Sequence, residues 1–198
     1  MLGGAFNPPH LGHLVLAQEA AFALRLDRVL LVPAGQAPHK RIEQEPGPRV
    51  RLEMAQLAAA GDELFEVSDV EVDRDGPSYS FRTLELLRDE RPDHEFTFLM
   101  GADVAAHLEQ WRDPERVVEL ARLGIAARPG TALDEAEAAV ERLGASGRAD
   151  VIRMPEIGVS STQIRRRVAQ GRPVRYLVPP PVADLIAERG LYREAVPA

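Results

Sequence analysis

Apolar residues follow two patterns that alternate along the chain. Short continuous apolar runs predict strands, and longer segments with apolar residues three or four positions apart predict helices. The predicted strands span 28–32, 65–72, 95–100, 123–127 and 151–154. The predicted helices span 10–24, 49–60, 80–91, 114–122, 133–143, 161–170 and 181–189. Strands that alternate with helices predict an α/β fold, with a doubly wound parallel sheet that helices cover on both faces.

The chain opens with a very short predicted strand. Only Met1 and Leu2 precede Gly3 and Gly4, and we expect the glycine pair to form the turn that follows this strand. In doubly wound sheets, ligands bind beyond the carboxyl ends of the strands. We therefore expect the chemistry to lie just after this turn. The remaining elements predict one domain over 1–198, in which 160–198 is a small C-terminal helical part.

Two histidines mark the start of the first predicted helix. Asn7, followed by two prolines, predicts the N-cap and first turn of this helix. His10 and His13 then share a helix face at the positively charged N-terminal end, which is suited to binding anions. Gly12 lies between them and leaves room for a phosphate or a base. A metal-binding histidine pair is the alternative, but no third ligand follows nearby.

A second cluster of hydroxyl and basic groups begins the helix predicted at 161–170. Ser160 and Gln163 fit a capping box, and the hydroxyls of Ser161 and Thr162 lie beside the free N–H groups of the helix start. Three arginines, 165–167, follow within one turn. A solvated basic face explains the last two most simply. Arg165 remains as the candidate phosphate ligand.

Composition narrows the possible partners. The chain has 198 residues, a net charge of -7 and no cysteine, with a pI near 5.3. The acidic balance argues against a broad nucleic-acid surface, so an anion must be held by a local positive site. Without cysteine, disulfides and thiolate metal sites are excluded. No apolar run reaches the length of a membrane span. We therefore expect a cytoplasmic protein with neither nucleic acid nor a membrane as partner.

The two clusters resemble known motifs. Residues 3–13, Gly-Gly-Ala-Phe-Asn-Pro-Pro-His-Leu-Gly-His, resemble the His-x-Gly-His signature of the nucleotidyltransferase superfamily, and 159–165 resemble its Ile-Ser-Ser-Thr-x-Ile-Arg motif. The resemblance implies a Rossmann-like fold and transfer of an adenylyl group from ATP. The implied catalytic residues are His10, His13, Lys40 and Arg165. The implied ATP-binding residues are Gly4, Ala5, Phe6, Gly12, Gly101, Asp103, Arg128, Ser161 and Thr162. Asn7 departs from the more usual Asp and removes a carboxylate.

Weaker features resemble one family within this superfamily, the nicotinate-nucleotide adenylyltransferases. They are the Pro-His-Lys of 38–40, the Ser-Tyr-Ser of 78–80, the Gly-Ala-Asp of 101–103, Trp111 and the Arg-Pro-Gly of 128–130. The resemblance implies that Lys40, Ser80 and Trp111 bind nicotinate mononucleotide, the acceptor. It also implies that Mg²⁺ is held mainly by ATP oxygens and water, without a protein metal site. Ser80 in place of Thr, and Arg82 in place of Asp, depart from the family pattern.

Three other functions remain open at this point. The acceptor could be nicotinamide mononucleotide, or it could be phosphopantetheine, although that family generally has Thr at the position of His10. A non-catalytic nucleotide-binding regulator could share the fold, but it need not keep both histidines, Lys40 and Arg165 together. The acidic charge and small size disfavour a fragment of a tRNA ligase. The sequence is compatible with a monomer or a homo-oligomer.

Overall fold

The computed structural model describes residues 1–36, 44–127 and 133–193, which form a six-stranded parallel sheet flanked by helices. The strands are β1 (Leu2–Gly4), β2 (Val29–Pro33), β3 (Phe65–Val67), β4 (Thr97–Gly101), β5 (Arg122–Ala127) and β6 (Ala149–Arg153). Their order across the sheet is β3-β2-β1-β4-β5-β6, and all neighbouring strands run parallel. The chain thus winds outward from β1 to one edge and then from β4 to the other. This arrangement confirms the predicted Rossmann-like fold.

Helices connect successive strands. They are α1 (Leu11–Leu24), α2 (Pro48–Ala59), α3 (Ser80–Glu90), α4 (Ala102–Ala105), α5 (Pro114–Leu120), α6 (Leu133–Arg142), α7 (Ser161–Ala169) and α8 (Pro180–Glu188). Two short 3₁₀ turns, Leu108–Gln110 and Ser146–Arg148, complete the described elements. The sequence did not predict α4 or these turns, because each is too short to show a helical period. In the part of the chain that the structure describes, no helix is long and apolar enough to span a membrane.

Alternation along the buried strands divides the core between the two faces of the sheet. In β2, Leu30 and Val32 pack on one face, whereas Val29 and Leu31 pack on the other. The first face is covered mainly by apolar residues of α3, α5 and α6. The second face is covered mainly by the alanines of α1. The strands β2, β4 and β5 are largely buried on both sides, and this explains why they appear in the sequence as apolar runs.

The C-terminal helices form a third apolar cluster with α2. Its buried members are Met54, Ile164, Val174, Val178, Val182, Leu185, Ile186 and Tyr192. The C-terminal helical part is therefore not a loose appendage. It packs beside α2, the helix that leads from β2 to β3, and it reaches the end of β1 from that side.

Several predicted boundaries differ from the structure, and three of them need correction. Gly3 and Gly4 do not form a turn, because they continue the ladder of β1 with Val32 and Pro33. The strand predicted over 65–72 ends at Val67, after which the backbone turns and the N–H of Val72 donates to the carbonyl of Asp69. The helix predicted over 114–122 ends at Leu120, since 122 already belongs to β5. In the last two cases the apolar residues continue past the end of the element, so the sequence pattern does not show where the backbone changes direction.

Candidate active site

The carboxyl ends of four neighbouring strands lie level with one another. Gly4 of β1 pairs with Pro33 of β2, and Gly101 of β4 pairs with Ala126 of β5. The pairing of Leu2 with Leu99 brings Gly4 level with Gly101. The winding direction of the chain reverses between β1 and β4, so their ends form the topological switch point where ligands bind in such sheets.

An irregular segment, 5–10, joins β1 to α1. Phe6 has a left-handed backbone, with φ 47°, and the Asn7–Pro8 peptide bond is cis. Positive φ is uncommon for a residue other than glycine. His10, with φ -146° and ψ 170°, is the N-cap of α1. The prediction that Asn7 caps the helix is therefore wrong: Asn7 is buried three residues earlier, where its side chain accepts a hydrogen bond from Tyr192.

The two histidines stack against each other at the start of α1. Their ring centroids are 3.7 Å apart and the planes are inclined by 28°. The backbone N–H of His10 donates to Nδ1 of His13 over 3.1 Å. A Cβ at Gly12 would lie 3.0 Å from Nδ1 of His10, so Gly12 also makes room for the His10 ring. The absence of a side chain at this position is thus already explained by the histidine pair.

His13 is held as a neutral hydrogen-bond donor. Burial lowers the pKa of His13 well below its ordinary value of 6.5, and repulsion from His10 lowers it further. Because Nδ1 accepts the N–H of His10, the proton of the neutral ring is on Nε2. This nitrogen can donate to a phosphate oxygen at the helix start, where the N–H groups of α1 already favour negative charge.

The depressed pKa of His13 predicts a specific loss of stability in mild acid. The unfolded chain takes up a proton at this residue near pH 6.5, whereas the folded chain takes it up only well below that pH. The contribution of His13 is therefore complete above pH ~7.5 and is lost as the pH falls through ~6.5 toward the folded pKa. Between pH ~7.5 and ~5.5, urea unfolding should show a decrease about 1 kcal/mol larger for the wild type than for His13→Gln. Parallel pH dependences of the two proteins would contradict this assignment.

The start of α7 packs directly on the segment 5–10. Ser161 Oγ donates to the carbonyl of Pro8 over 2.9 Å. Arg165, 158 residues from Asn7 in the chain, donates from Nη1 to the carbonyl of Asn7 over 3.0 Å and from Nη2 to Thr162 Oγ1 over 3.3 Å. The two sequence motifs therefore lie side by side, with two helix starts and one buried guanidinium at the end of β1.

The predicted cap of α7 is confirmed in its first half. Ser160 is the N-cap, and its Oγ accepts the backbone N–H of Gln163 over 3.2 Å. Since this cap occupies the hydroxyl of Ser160, the hydroxyls of Ser161 and Thr162 remain as the candidate phosphate ligands here. Ser161 already donates its proton to Pro8, so it can bind a phosphate oxygen only by giving up this bond or through its backbone N–H.

One candidate acceptor residue, Ser80, lies at the first helix after β3. Ser80 begins α3, with Tyr79 as the N-cap. The preceding residue, Ser78, accepts the N–H of Gly35 over 3.0 Å. A Cβ at Gly35 would collide with the carbonyl of Glu71, so this close approach requires glycine. The start of α3 is thereby fixed to the loop after β2.

Trp111 packs beside β4, against the second residue of that strand. It caps the 3₁₀ turn Leu108–Gln110, and its half-buried ring packs edge-on against Phe98, with centroids 5.7 Å apart. Gly101 ends β4 with no atom within 4 Å of a Cβ built there, and Asp103 is exposed in the first turn of α4. A side chain at position 101 would therefore face open space at the carboxyl end of β4.

Two predicted site residues, Lys40 and Arg128, lie outside the described residues. The sequence also led us to expect no protein metal site. Within 1–36, 44–127 and 133–193, no group of three or more His, Cys, Asp or Glu side chains could hold a metal ion.

Two buried residues of this region were missed from the sequence. The Arg51 side chain is fully buried, with Nε 2.7 Å from Glu45 Oε1, Nη1 donating to the carbonyl of Ala5 over 2.8 Å and Nη2 to that of Gly35 over 3.0 Å. It ties the segment after β1 to the loop after β2. Its position one turn before Met54 on the apolar face of α2 was an available signal, since a charged residue there must have partners. No comparable signal marks Tyr192.

Comparison with known proteins gives consistent results. A family model described as cytidylyltransferase-like matches residues 1–167. A protein of Roseiflexus sp. (strain RS-1), named "Probable nicotinate-nucleotide adenylyltransferase", is 46% identical over 193 residues, which cover 98% of this chain and 96% of the relative. A Thermus thermophilus protein of the same name is 45% identical, with 98% of each chain covered. The solved structure of "Plasmodium falciparum nicotinic acid mononucleotide adenylyltransferase complexed with NaAD" is similar with a TM-score of 0.75 at 18% identity, over 96% of this chain and 95% of that one. This last likeness shows a shared fold.

Proposed function

The chain belongs to the cytidylyltransferase-like family, and we propose that this nucleotidyltransferase transfers the adenylyl group of ATP to nicotinate mononucleotide, giving nicotinate adenine dinucleotide and pyrophosphate. The observation that carries the proposal is the meeting of two helix starts at the switch point of the sheet, one with His10 and His13 and one with Ser161 and Arg165. Full-length relatives named for this acceptor support the choice of substrate.

In the reaction we propose, a phosphate oxygen of the acceptor attacks the α-phosphorus of ATP. The new P–O bond forms in line with the bond between the α-phosphorus and the leaving pyrophosphate. That older bond breaks, and the pyrophosphate leaves with its electron pair. No protein nucleophile takes part. The protein positions the two phosphates and stabilises the charge that builds on the phosphoryl oxygens. A neutral donor with its proton on Nε2, as His13 has, is suited to a non-bridging oxygen of the α-phosphate.

The leaving pyrophosphate needs positive charge, and the start of α7 provides it. Arg165 is buried against the segment 5–10. A guanidinium in such surroundings acts more strongly on an anion than one in water. Residues 160–198 hold seven arginines and only three acidic residues, whereas the whole chain has a net charge of -7. The triphosphate is thus drawn to a local positive region of an acidic protein.

The acceptor would lie on the other side of the adenylyl group, against the start of α3 and Trp111. In this proposal Lys40 orients and neutralises the acceptor phosphate. Backbone N–H groups near Ser80 meet the pyridine carboxylate, and the Trp111 ring stacks on the pyridine. Gly4, Ala5, Phe6, Gly12, Gly101, Asp103 and Arg128 complete the ATP site. The open edge beyond Gly101 supports this arrangement.

A divalent cation enters with ATP as part of the substrate, and we propose Mg²⁺. In this proposal the cation is held mainly by ATP oxygens and water. Mg²⁺ retains water readily and prefers phosphate oxygens. We also propose that the enzyme works in the cytoplasm as a single domain over 1–198, as a monomer or homo-oligomer, with neither nucleic acid nor a membrane as partner.

The test of the proposed function is pyrophosphate release with ATP and Mg²⁺ and one of three acceptors. Strong turnover with nicotinate mononucleotide, and weak turnover with nicotinamide mononucleotide and phosphopantetheine, is expected. Turnover mainly with another acceptor would retain the ATP site and overturn the assignment of Trp111 and Ser80. A folded protein without turnover on any acceptor would favour the non-catalytic regulator.

Replacing Trp111 should affect the two substrates unequally. We expect Trp111→Ala to raise KM for nicotinate mononucleotide about tenfold, because one aromatic stacking contact is worth roughly 1–3 kcal/mol. KM for ATP should change less than twofold. Steady-state kinetics with each substrate varied in turn measures both values, and Trp111→Phe, which keeps a ring, serves as the control. Equal increases in the two KM values would count against pyridine stacking.

A further inference from the structure

We propose that Tyr192 is a positioning residue of the transfer reaction: through Asn7, its hydroxyl holds the segment 5–10 in the conformation that presents the start of α1 to phosphate. The inference rests on the proposed function for its kinetic test. It assigns a role in the reaction to the C-terminal segment, which carries no recognised motif after α7.

The contact between Tyr192 and Asn7 is short and buried. The hydroxyl of Tyr192 donates to Oδ1 of Asn7 over 2.6 Å, across 185 residues of chain. Asn7 is 1% exposed and Tyr192 is 6% exposed. Burial raises the pKa of Tyr192, so its hydroxyl stays protonated and remains a donor at any working pH. Water cannot readily reach this buried position. Removal of the Tyr192 hydroxyl would therefore take a hydrogen-bond donor away from Oδ1 of Asn7 without replacing it.

The segment 5–10 is held in place largely through its backbone carbonyl groups, which accept hydrogen bonds from other parts of the chain. Arg51 binds the carbonyl of Ala5, Arg165 binds that of Asn7 and Ser161 binds that of Pro8. These three braces come from α2 and α7. Tyr192 adds a fourth from a different part of the chain, and it holds a side chain rather than the backbone. Since Phe6 has an unfavourable positive φ, the segment depends on its surroundings to keep this conformation.

Tyr192 is itself fixed in place. The chain turns twice through the left-handed region just before and at this residue, at Gly190 and Tyr192, each with φ 62°. The ring belongs to the third apolar cluster, and its hydroxyl lies 3.8 Å from Sδ of Met54. The hydroxyl is therefore a fixed point on the C-terminal part, against which the segment after β1 is aligned.

The expected consequence is a change in kcat more than in substrate binding. His10 and His13 follow Asn7 directly along the chain, so a shift of the segment moves donors that act on the reacting phosphate in the proposed reaction. We expect Tyr192→Phe to lower kcat about tenfold and to change KM for nicotinate mononucleotide less than twofold. Asn7→Asp, which keeps an acceptor for the hydroxyl, should retain kcat within about threefold.

The experiment compares Tyr192→Phe with two controls. Val182→Ala lowers the stability of the same apolar cluster and leaves the Tyr192 hydroxyl in place. Tyr176→Phe removes the same hydroxyl from a tyrosine that is 86% exposed. Each variant is assayed for pyrophosphate release well below its own Tm. Amide hydrogen exchange of the peptide covering 5–13 is measured in parallel without substrate.

We expect slower turnover and faster exchange in 5–13 for Tyr192→Phe alone, with both controls like the wild type. Adding Tyr192→Phe to Asn7→Ala should cost little more, because the two residues act through one bond. Equal kcat losses in Tyr192→Phe and Val182→Ala, additive losses, or unchanged exchange would each overturn the proposal. If wild-type protein fails to use nicotinate mononucleotide, only the proposed function is contradicted. The exchange experiment still tests whether the Tyr192–Asn7 hydrogen bond holds the segment 5–10.

Discussion

His13→Ala is expected to lower kcat by about 10²–10³ while the protein remains folded. The neutral ring is half-buried at the start of α1 with its proton on Nε2, and in the proposed reaction it donates to an oxygen on which charge builds. A preorganised donor of this kind does not have to reorganise during the reaction, which is why its loss is so costly. Alanine favours the helix, so the backbone of α1 should survive.

A matched control comes from the opposite end of the sheet. His94 precedes β4 and is exposed, with its ring 6.4 Å from that of Phe96. His94→Ala should therefore keep the turnover of the wild type. Circular dichroism and thermal unfolding establish that both variants are folded before pyrophosphate release is measured. A folded His13→Ala protein with near-normal kcat would remove His13 from the mechanism.

The sheet was predictable because burial on both faces leaves a strong pattern in the sequence. Each of β2, β4 and β5 is an apolar run, and helical periods separate them. Parallel connections then leave few possible topologies. The same reasoning located the candidate site at the end of β1, since that position follows from fold class and strand order.

The conformation of the candidate site was not predictable in the same way. The pattern Gly-Gly at 3–4 favours a turn, yet the positive φ falls on Phe6. Asn7 has the chemistry of a helix cap, yet its side chain points to Tyr192 instead. Both outcomes depend on partners from distant parts of the chain. Local propensity ranks conformations in isolation, and here tertiary contacts select a less common one.

Arg51 shows most clearly why contacts of the site could not be predicted from the sequence. Its partners, Glu45, Ala5 and Gly35, lie in segments outside the helix that carries it. Its position on the apolar face of α2 indicates that it must be paired, but nothing local identifies the carbonyls of Ala5 and Gly35. These two groups belong to the ends of β1 and β2, which are adjacent only in the folded sheet. Arg51 therefore connects the segment after β1 with the loop after β2.

Arg51→Ala should accordingly be the most destabilising single change near the site, by about 3–5 kcal/mol in the free energy of unfolding. The change removes the hydrogen bonds to the carbonyls of Ala5 and Gly35 and the ion pair with Glu45. It also leaves a cavity where the fully buried Arg51 side chain was.

Arg49→Ala, on the same helix, is the control. It loses only an exposed ion pair with Asp73 and should cost less than about 1 kcal/mol. Urea unfolding of the three proteins measures the difference. Similar losses for the two variants would mean that the Arg51 contacts do not hold the ends of β1 and β2 together. A large loss confined to Arg51→Ala would identify this side chain as the link between them.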